Sequence, residues 1–522
     1  MRANDLLLEP VKKYRTSINP PYRRKDLISI LGTLFILLAI PLTVFVAVKV
    51  RPWGPRAAGT AAAPTTIGSV IEPGSMVSGA SYIVFADGTN YYARNGKTGE
   101  IQFSGSNDAT PVIQAAIDAL PATGGKVVLT EGTFTLSNSI VLGSTGTVLE
   151  GQGYGTLIQY NGDLIAGNAA IGHNNGATYR TVTDAAVRNL RIKNNGAVSH
   201  SNILIGWNDH IPQRITIDHV ESENGPLWIY CGSHHRVEHS YVHDLKGGVG
   251  RADTGTTIRG VSANQNGPAC LATDSIIANN IIENVPDMGI TSILSDGLVI
   301  SNNRVVKAGQ DPAHSDGVIG MAIDVSNSIN ILISGNSIES TNGILSENAD
   351  VGTIQIVNNI VKGTGVAAGV GIQVWRHPDT GPTGPQADRI LISGNTVHNT
   401  HWGIYVADED KVSITGNLVD NVGGTGIGVS KNGTWGVNPD DVLIEGNTVS
   451  RWAVNDSWQA AINANVANAK VSDNYLDGDS LNNNRGIAGL RNPGWITDNV
   501  IQNVGNVKMF EIEAGVVNEH NY

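Results

Sequence analysis

Past residue 100, one short phrase keeps returning in this chain: an apolar-x-apolar triplet, a small polar pair with Asn, then another apolar residue. It reads ILISGNSI at 331–338, IQIVNNIV at 354–361, ILISGNTV at 390–397, VSITGNLV at 412–419 and VLIEGNTV at 442–449, with a weaker ITDNVI at 496–501. The recurring Asn falls at Asn280, Asn303, Asn336, Asn359, Asn395, Asn417, Asn447, Asn474 and Asn499, in steps of 23, 33, 23, 36, 22, 30, 27 and 25. A minimum step near 22 with irregular excess is what a chain produces when each turn is one coil of a parallel β-solenoid and insertions protrude as loops. Strands then stack at ~4.8 Å along the axis, residues alternating by two point inward, and the corner Asn can ladder its amide between coils.

A second phrase follows the triplets, a Gly leading a short strand: GPLWIYC (225–231), GPACLAT (267–273), GITSIL (289–294), GMAIDV (320–325), GILSEN (343–348), GIQVWRH (371–377), GIYVAD (403–408) and GIGVS (426–430). These predict a second sheet.

Composition agrees with a linear core. Of 522 residues, 62 are Gly, 15% are charged and 5% aromatic, which excludes a compact helical enzyme. The net charge of −12 is asymmetric: residues 1–56 hold ten Lys/Arg against three Asp/Glu, and the other 24 Lys/Arg against 43 Asp/Glu leave the body at −19. An acidic body argues against nucleic acid as a partner, and a polyanionic substrate would need a local basic patch.

Residues 27–48 are uncharged and almost wholly apolar, long enough at ~1.5 Å per residue to cross a hydrocarbon core of ~30 Å. They read as one transmembrane helix rather than a cleaved signal peptide, whose apolar region is usually about 7–15 residues. Lys12, Lys13, Arg15, Arg23, Arg24 and Lys25 before the span outnumber Lys49, Arg51 and Arg56 after it, which puts the N-terminus in the cytoplasm and the body outside. The expected organisation is a cytoplasmic basic segment (1–26), the membrane helix (27–48), a linker and entry segment (49–100), the solenoid (101–515) and a C-terminal tail (516–522).

The segment SNDATPVIQAAIDALPATGGKVVLTEGTFTLSNSIVL (106–142), followed by GTVLEGQGYGTLI (146–158), resembles the N-terminal cap and first coils of right-handed parallel β-helix proteins of the pectate-lyase-like superfamily. Residues 111–120 read as the capping helix, with Val112, Ala115, Ala116 and Ala119 on one face. The resemblance implies an all-β, single-stranded right-handed parallel β-helix, and because that superfamily includes lyases, hydrolases, epimerases, tailspikes and non-catalytic surface proteins, it leaves the chemistry open. Of the polygalacturonase motifs only Ser315, Asp316 and Gly317 have a counterpart, and the Asp-Pro-His of alginate epimerases is interrupted here as Asp311, Pro312, Ala313, His314.

Position says more than motif. In the Gly-led strands the residues between the inward Ile, Leu and Val are Trp228, Tyr230, Asp324, Glu347, Gln373, Trp375 and Tyr405. With Trp207, Arg376 and His377 they form an expected substrate-binding stripe, since sugars stack on aromatic faces and hydrogen-bond to carboxylates and amides. Asp324 and Glu347 on neighbouring coils also suit a glycosidase-like pair or a Ca²⁺ ion, the one candidate cofactor. No CxxC or HExxH signature occurs and no residue is assigned to a metal.

Seven of the 13 histidines lie between positions 200 and 243. His219 and His239 occupy Asn-like repeat positions and read as structural substitutes for the corner Asn. His210 and His234 each follow a strand by three residues and are expected in equivalent turns ~5 Å apart. His210, Tyr230, His234, His235 and Arg236 are therefore the expected catalytic set for uronate elimination or epimerisation: a cation for the sugar carboxylate, a base at C5, an acid for the leaving group. From the Gly225 coil to the Gly371 coil six steps are expected, ~29 Å, and Gly225 to Gly267 counts as two coils, which separates Cys231 from Cys270 by ~9.6 Å and predicts free thiols. The sequence thus points to a membrane-anchored extracellular β-helix that binds a polysaccharide and modifies it as a lyase or epimerase; the alternative is a non-catalytic adhesin or envelope protein.

Overall fold

The computed structural model describes residues 79–522 apart from 144, 161–168, 176–177, 197–200, 208, 247–253, 260, 262–268, 310–319, 348–351, 377–386, 432–438, 455–458, 479–484 and 505–509. The expected membrane span at 27–48 lies outside the described residues, among which no helix is long and apolar enough to cross a membrane.

One rung shows how the sequence makes the coil. Ile331–Ser334 forms a first wall, a corner at Gly335 and Asn336 turns the chain into Ser337–Glu339 on a second wall, and Ile344–Glu347 lies on a third. The next rung opens with Ile331 in register with Ile354. Ile331, Ile333, Ile338 and Ile344 are all buried in the shared core while Leu332 and Leu345 between them are not. Each buried Ile contributes roughly 1.5–3 kcal/mol, and β-branched side chains suit the extended backbone. Among the described residues the third wall is a 14-stranded parallel sheet in strict chain order, and the first two belong to a 30-stranded sheet.

The corner asparagines form an unbroken ladder. From Asn280 to Asn521, the backbone N–H and the side-chain Nδ2 of each Asn both donate to the Oδ1 of the next, at 2.9–3.0 Å. The remaining amide hydrogen goes to a carbonyl of the preceding rung, as in Asn336 to Ile300 at 3.0 Å. His219 and His239 are not part of this ladder, contrary to expectation. Ser240 donates its N–H to Asn280 Oδ1, so the histidine stands one residue earlier, at the left-handed turn position (φ +52° and +50°) that Asn279, Asn302 and Gly335 fill on later rungs.

Gly-led strands begin where the coil leaves no room for a side chain: a Cβ on Gly371 would stand 2.2 Å from Val397 Cγ1 and 2.6 Å from the Gly403 carbonyl oxygen. Gly255, which opens the strand Thr256–Arg259, is one such residue, and that strand pairs with Leu227–Tyr230 through Ile229 and Ile258. Gly267 is not. Cys270 is bonded in both directions at 2.9 Å to Val261, two residues past Arg259, which closes that rung's third-wall strand. Cys231 and Cys270 are therefore on adjacent rungs, their Cα atoms are 5.5 Å apart and they form a disulfide, which corrects the expectation of free thiols. The count from the Gly225 rung to the Gly371 rung is likewise five steps, not six, or ~24 Å.

Both ends extend beyond the expected limits. The capping helix is Thr110–Asp118, with Val112, Ile113, Ala116 and Ile117 buried, Ala115 half-buried and Ala119 exposed. Strand Tyr82–Asp87 pairs with Gly125–Leu129, so the entry segment already belongs to the cap. At the other end Val517–Glu519 pairs with Gly494–Thr497, and residues 516–522 complete a rung rather than forming a tail.

Candidate functional site

The outward positions of the third wall form two columns parallel to the axis. In one, Trp228 stands beside Thr257, Thr291 beside Asp324, Asp324 beside Leu345, and Gln373 beside Tyr405. In the other, Tyr230 stands beside Arg259, Ser326 beside Glu347, and Glu347 beside Trp375. The stripe expected from sequence is thus assembled in register, because strict alternation leaves these side chains no other face.

At its N-terminal end the stripe is aromatic. Trp207 and Trp228 lie 5.4 and 5.7 Å from Tyr230, ring centroid to centroid. Tyr230 is only 8% exposed because it belongs to a small apolar cluster outside the coil, with Ala169, Leu204, Val261 and the Cys231–Cys270 pair. Burial pushes its phenol up to about 12 although Arg259 beside it acts in the opposite sense. Such a phenol is a poor proton donor near neutrality, and Tyr230 is better suited to stacking.

Further along, the stripe is acidic. Asp324 is 5% exposed. Burial raises its carboxyl to about 7, opposed by the Ser326 hydroxyl that donates to its Oδ1 at 2.9 Å; Glu347 and Asp287 add to the rise and Arg259 subtracts from it. Asp324 and Glu347 are diagonal neighbours on adjacent rungs, ~8 Å apart at Cα from the spacings of a parallel sheet. Beyond them Glu409, fully buried and accepting the Ala387 N–H at 3.3 Å, is also raised to about 7 by burial, with Arg376 opposing. A carboxyl that holds its proton near neutrality is suited to acid–base work.

The five residues expected to be catalytic do not meet. Thr216 follows Ile205 by eleven positions, whereas Arg236 follows the register-equivalent Ile229 by only seven. The earlier turn is longer, so the residue aligned with His234 is Arg214, which donates its N–H to Ser233 in the next rung. His210 instead stacks on Tyr179 at 5.6 Å and lies 6.1 Å from the buried His173. His235 points into the coil, fully buried: its Nδ1 accepts from the Ile215 N–H at 3.3 Å, which makes Nε2 the donor to the Cys231 carbonyl at 2.8 Å. Burial lowers it to about 4, so it is neutral and structural. Arg236 is exposed on the first wall, bonded to Glu238. His377 lies outside the described residues.

Arg259, Asp287, Ser326 and Glu409 were missed from sequence. The signal for Arg259 was Gly255, which heads a phrase of the same form as the others and falls between Gly225 and Gly289.

Residues 227–383 match the family model described as the right handed beta helix region. Among solved structures the chain is similar to a mannuronan C-5 epimerase A-module of Azotobacter vinelandii (16% identity, 80% of this chain and 96% of that one, TM-score 0.40). It is also similar to PfbA, a surface adhesin of Streptococcus pneumoniae (16% identity, 79% and 90%, TM-score 0.43), and to the catalytic unit of an α-1,3-glucanase of Streptomyces thermodiastaticus (15% identity, 80% and 66%, TM-score 0.46). At these identities the likeness is one of fold. No curated protein matches the sequence.

Proposed function

We propose that this chain, a right-handed parallel β-helix protein, binds an extended polysaccharide along the outer face of its third wall and modifies it by acid–base chemistry of the uronate lyase or epimerase kind. The observation that carries the reading is Asp324: a carboxyl at about 7, next to Glu347 and in a register that continues to Trp228 on one side and Tyr405 on the other. Rungs ~4.8 Å apart match the repeat of a sugar chain closely enough for successive rings to meet successive side chains. In this reading Trp228, Trp375 and Tyr405 stack on sugar rings, Gln373 hydrogen-bonds, Arg259 neutralises a uronate carboxylate, and Asp324 and Glu347 exchange protons with the substrate. Glu347 with Asp324 is also the place where a Ca²⁺ ion would be held.

The body is proposed to lie outside the cytoplasm, anchored by residues 27–48. The Cys231–Cys270 disulfide supports an oxidising compartment.

The competing reading, a non-catalytic adhesin or envelope protein that only binds the glycan, is favoured by the dispersal of His210, His235 and Arg236 over different parts of the coil. The test is incubation of the full chain in detergent with uronate polymers. The ultraviolet absorbance of an unsaturated uronate reports elimination, proton NMR of the polymer reports epimerisation, and retention on immobilised polymer reports binding. Turnover lost in Asp324→Asn and Glu347→Gln with binding retained supports the enzyme; binding without any turnover supports the adhesin; neither overturns both.

A further inference from the structure

Away from the stripe, on the first wall, Asp218, His219 and His239 converge on one point. The Nδ1 of His219 is 2.9 Å and the Nδ1 of His239 3.0 Å from the same Asp218 Oδ1. The two imidazoles are stacked with centroids 4.9 Å apart, and one ligand-type atom from each of the three residues lies within 4.8 Å of the others. The coil produces this arrangement: the two histidines are separated by one uninserted rung, marked by the bond from the Val220 N–H to Ser240 Oγ at a separation of 20 residues. Both stand at the left-handed corner, which turns their side chains outward, and both are about half exposed.

The charges packed around the point are engaged elsewhere. In the register Asp218 lies between Arg188 and Glu238. Arg188 bonds Glu150 at 3.2 and 3.0 Å, and Arg236 bonds Glu238 at 2.7 and 3.0 Å. Arg236 also acts electrostatically on Asp218, but the side-chain hydrogen bonds of Asp218 come from the two histidines, which offer it a pair of nitrogen donors. Two imidazole nitrogens and one carboxylate oxygen, with open sides for water, are a donor set for Zn²⁺ and its neighbours in the first transition row; Ca²⁺ and Mg²⁺ require more oxygen ligands.

We propose that Asp218, His219 and His239 bind one divalent transition-metal ion of the zinc class, which clasps two successive rungs. The ion replaces the protons now shared between the imidazoles and the carboxylate.

The test is isothermal titration of the full chain in detergent with zinc chloride, together with its thermal midpoint with and without zinc. The variant is His219→Asn combined with His239→Asn, because Asn fills the same left-handed position at Asn279 and Asn302 and so preserves the corner while removing the ligands. One ion per chain, a zinc-dependent rise in midpoint, and an affinity at least about tenfold weaker in the variant are expected. Equal zinc affinity in chain and variant, or no zinc binding by the unaltered chain, overturns the proposal. Should the double variant be less stable without metal, Asp218→Asn, which alters neither corner, must still weaken zinc by at least about tenfold; an unchanged affinity there overturns it equally.

Discussion

Arg259 and Tyr230 face each other across adjacent rungs of the third wall, the guanidinium carbon 5.4 Å from the centre of the phenol ring. The same guanidinium acts electrostatically on Asp324, so one side chain connects the aromatic end of the stripe to its acidic part. The residue that joins them lies on the rung opened by Gly255, which the Gly-led phrases of the sequence leave out.

Removing that link has two expected effects. Arg259→Ala weakens binding of a uronate polymer by about ten- to a hundredfold, the worth of a charge-assisted contact, while a neutral glucan is held as before. It also raises the Asp324 carboxyl further, because a cation opposing its rise is gone. Titration of binding against polymer charge checks the first effect, and the pH dependence of any turnover checks the second.

Asp324 should make the protein less stable as pH rises. Its folded value, about 7, lies above the ordinary 3.8, so between those two values the native state holds a proton that the unfolded chain has released, and stability falls across that window. Asp324→Asn removes the dependence. Its thermal midpoint should gain on that of the unaltered chain as pH is raised from about 4 to 8, and a constant difference would count against the burial of this carboxyl.

His235 has the opposite sign. Its folded value of about 4 lies below the ordinary 6.5, so its contribution is complete above 6.5 and is lost as pH falls toward 4, on the order of 3 kcal/mol over the whole window. Acidification from neutrality should lower the thermal midpoint. His235→Gln should start lower and show a flatter profile.

The asparagine ladder predicts a gradient of sensitivity. Asn359→Ala leaves the Asn336 N–H and Nδ2 without their acceptor in a closed core, at a cost of about 2–5 kcal/mol for two unsatisfied donors. Asn521→Ala, at the half-buried last position, should cost less than about 1 kcal/mol. Chemical denaturation of the two variants measures the difference.

Peptide mapping without reductant should recover residues 231 and 270 in one cross-linked species. Cys231→Ser should lower stability by about 4 kcal/mol for a closed loop of this length, with a separation of 39 residues between the two positions.

What could be read from the sequence was what repeats. Ile331, Ile354 and Ile390 announce an inward column by their alternation, and the corner asparagines announce a ladder by being buried polar groups in constant position. What could not be read was what depends on turn length or on surroundings. His210 and His234 have the same offset from a strand end, yet the earlier turn is longer by four residues in the register and carries His210 out of line. Tyr230 and Asp324 were correctly assigned to the outer face by the period of two, but the period is silent on whether an outward side chain meets water. The phrase GPACLAT has the form of a Gly-led strand although Cys270 bonds back to Val261 next to the Gly255 strand, and reading it in place of Gly255 displaces the coil count and the fate of both cysteines.

The ladder and the insertions never compete for the same part of the rung. Between Ile331 and Ile338, or Val442 and Val449, the spacing around the corner Asn is invariant, even though one rung is 36 residues long and the next 22. A chain built this way can vary the length of its rungs without renegotiating its frame, whereas a single residue inserted beside a corner such as Asn359 would break that residue's amide bonds to the rungs on either side.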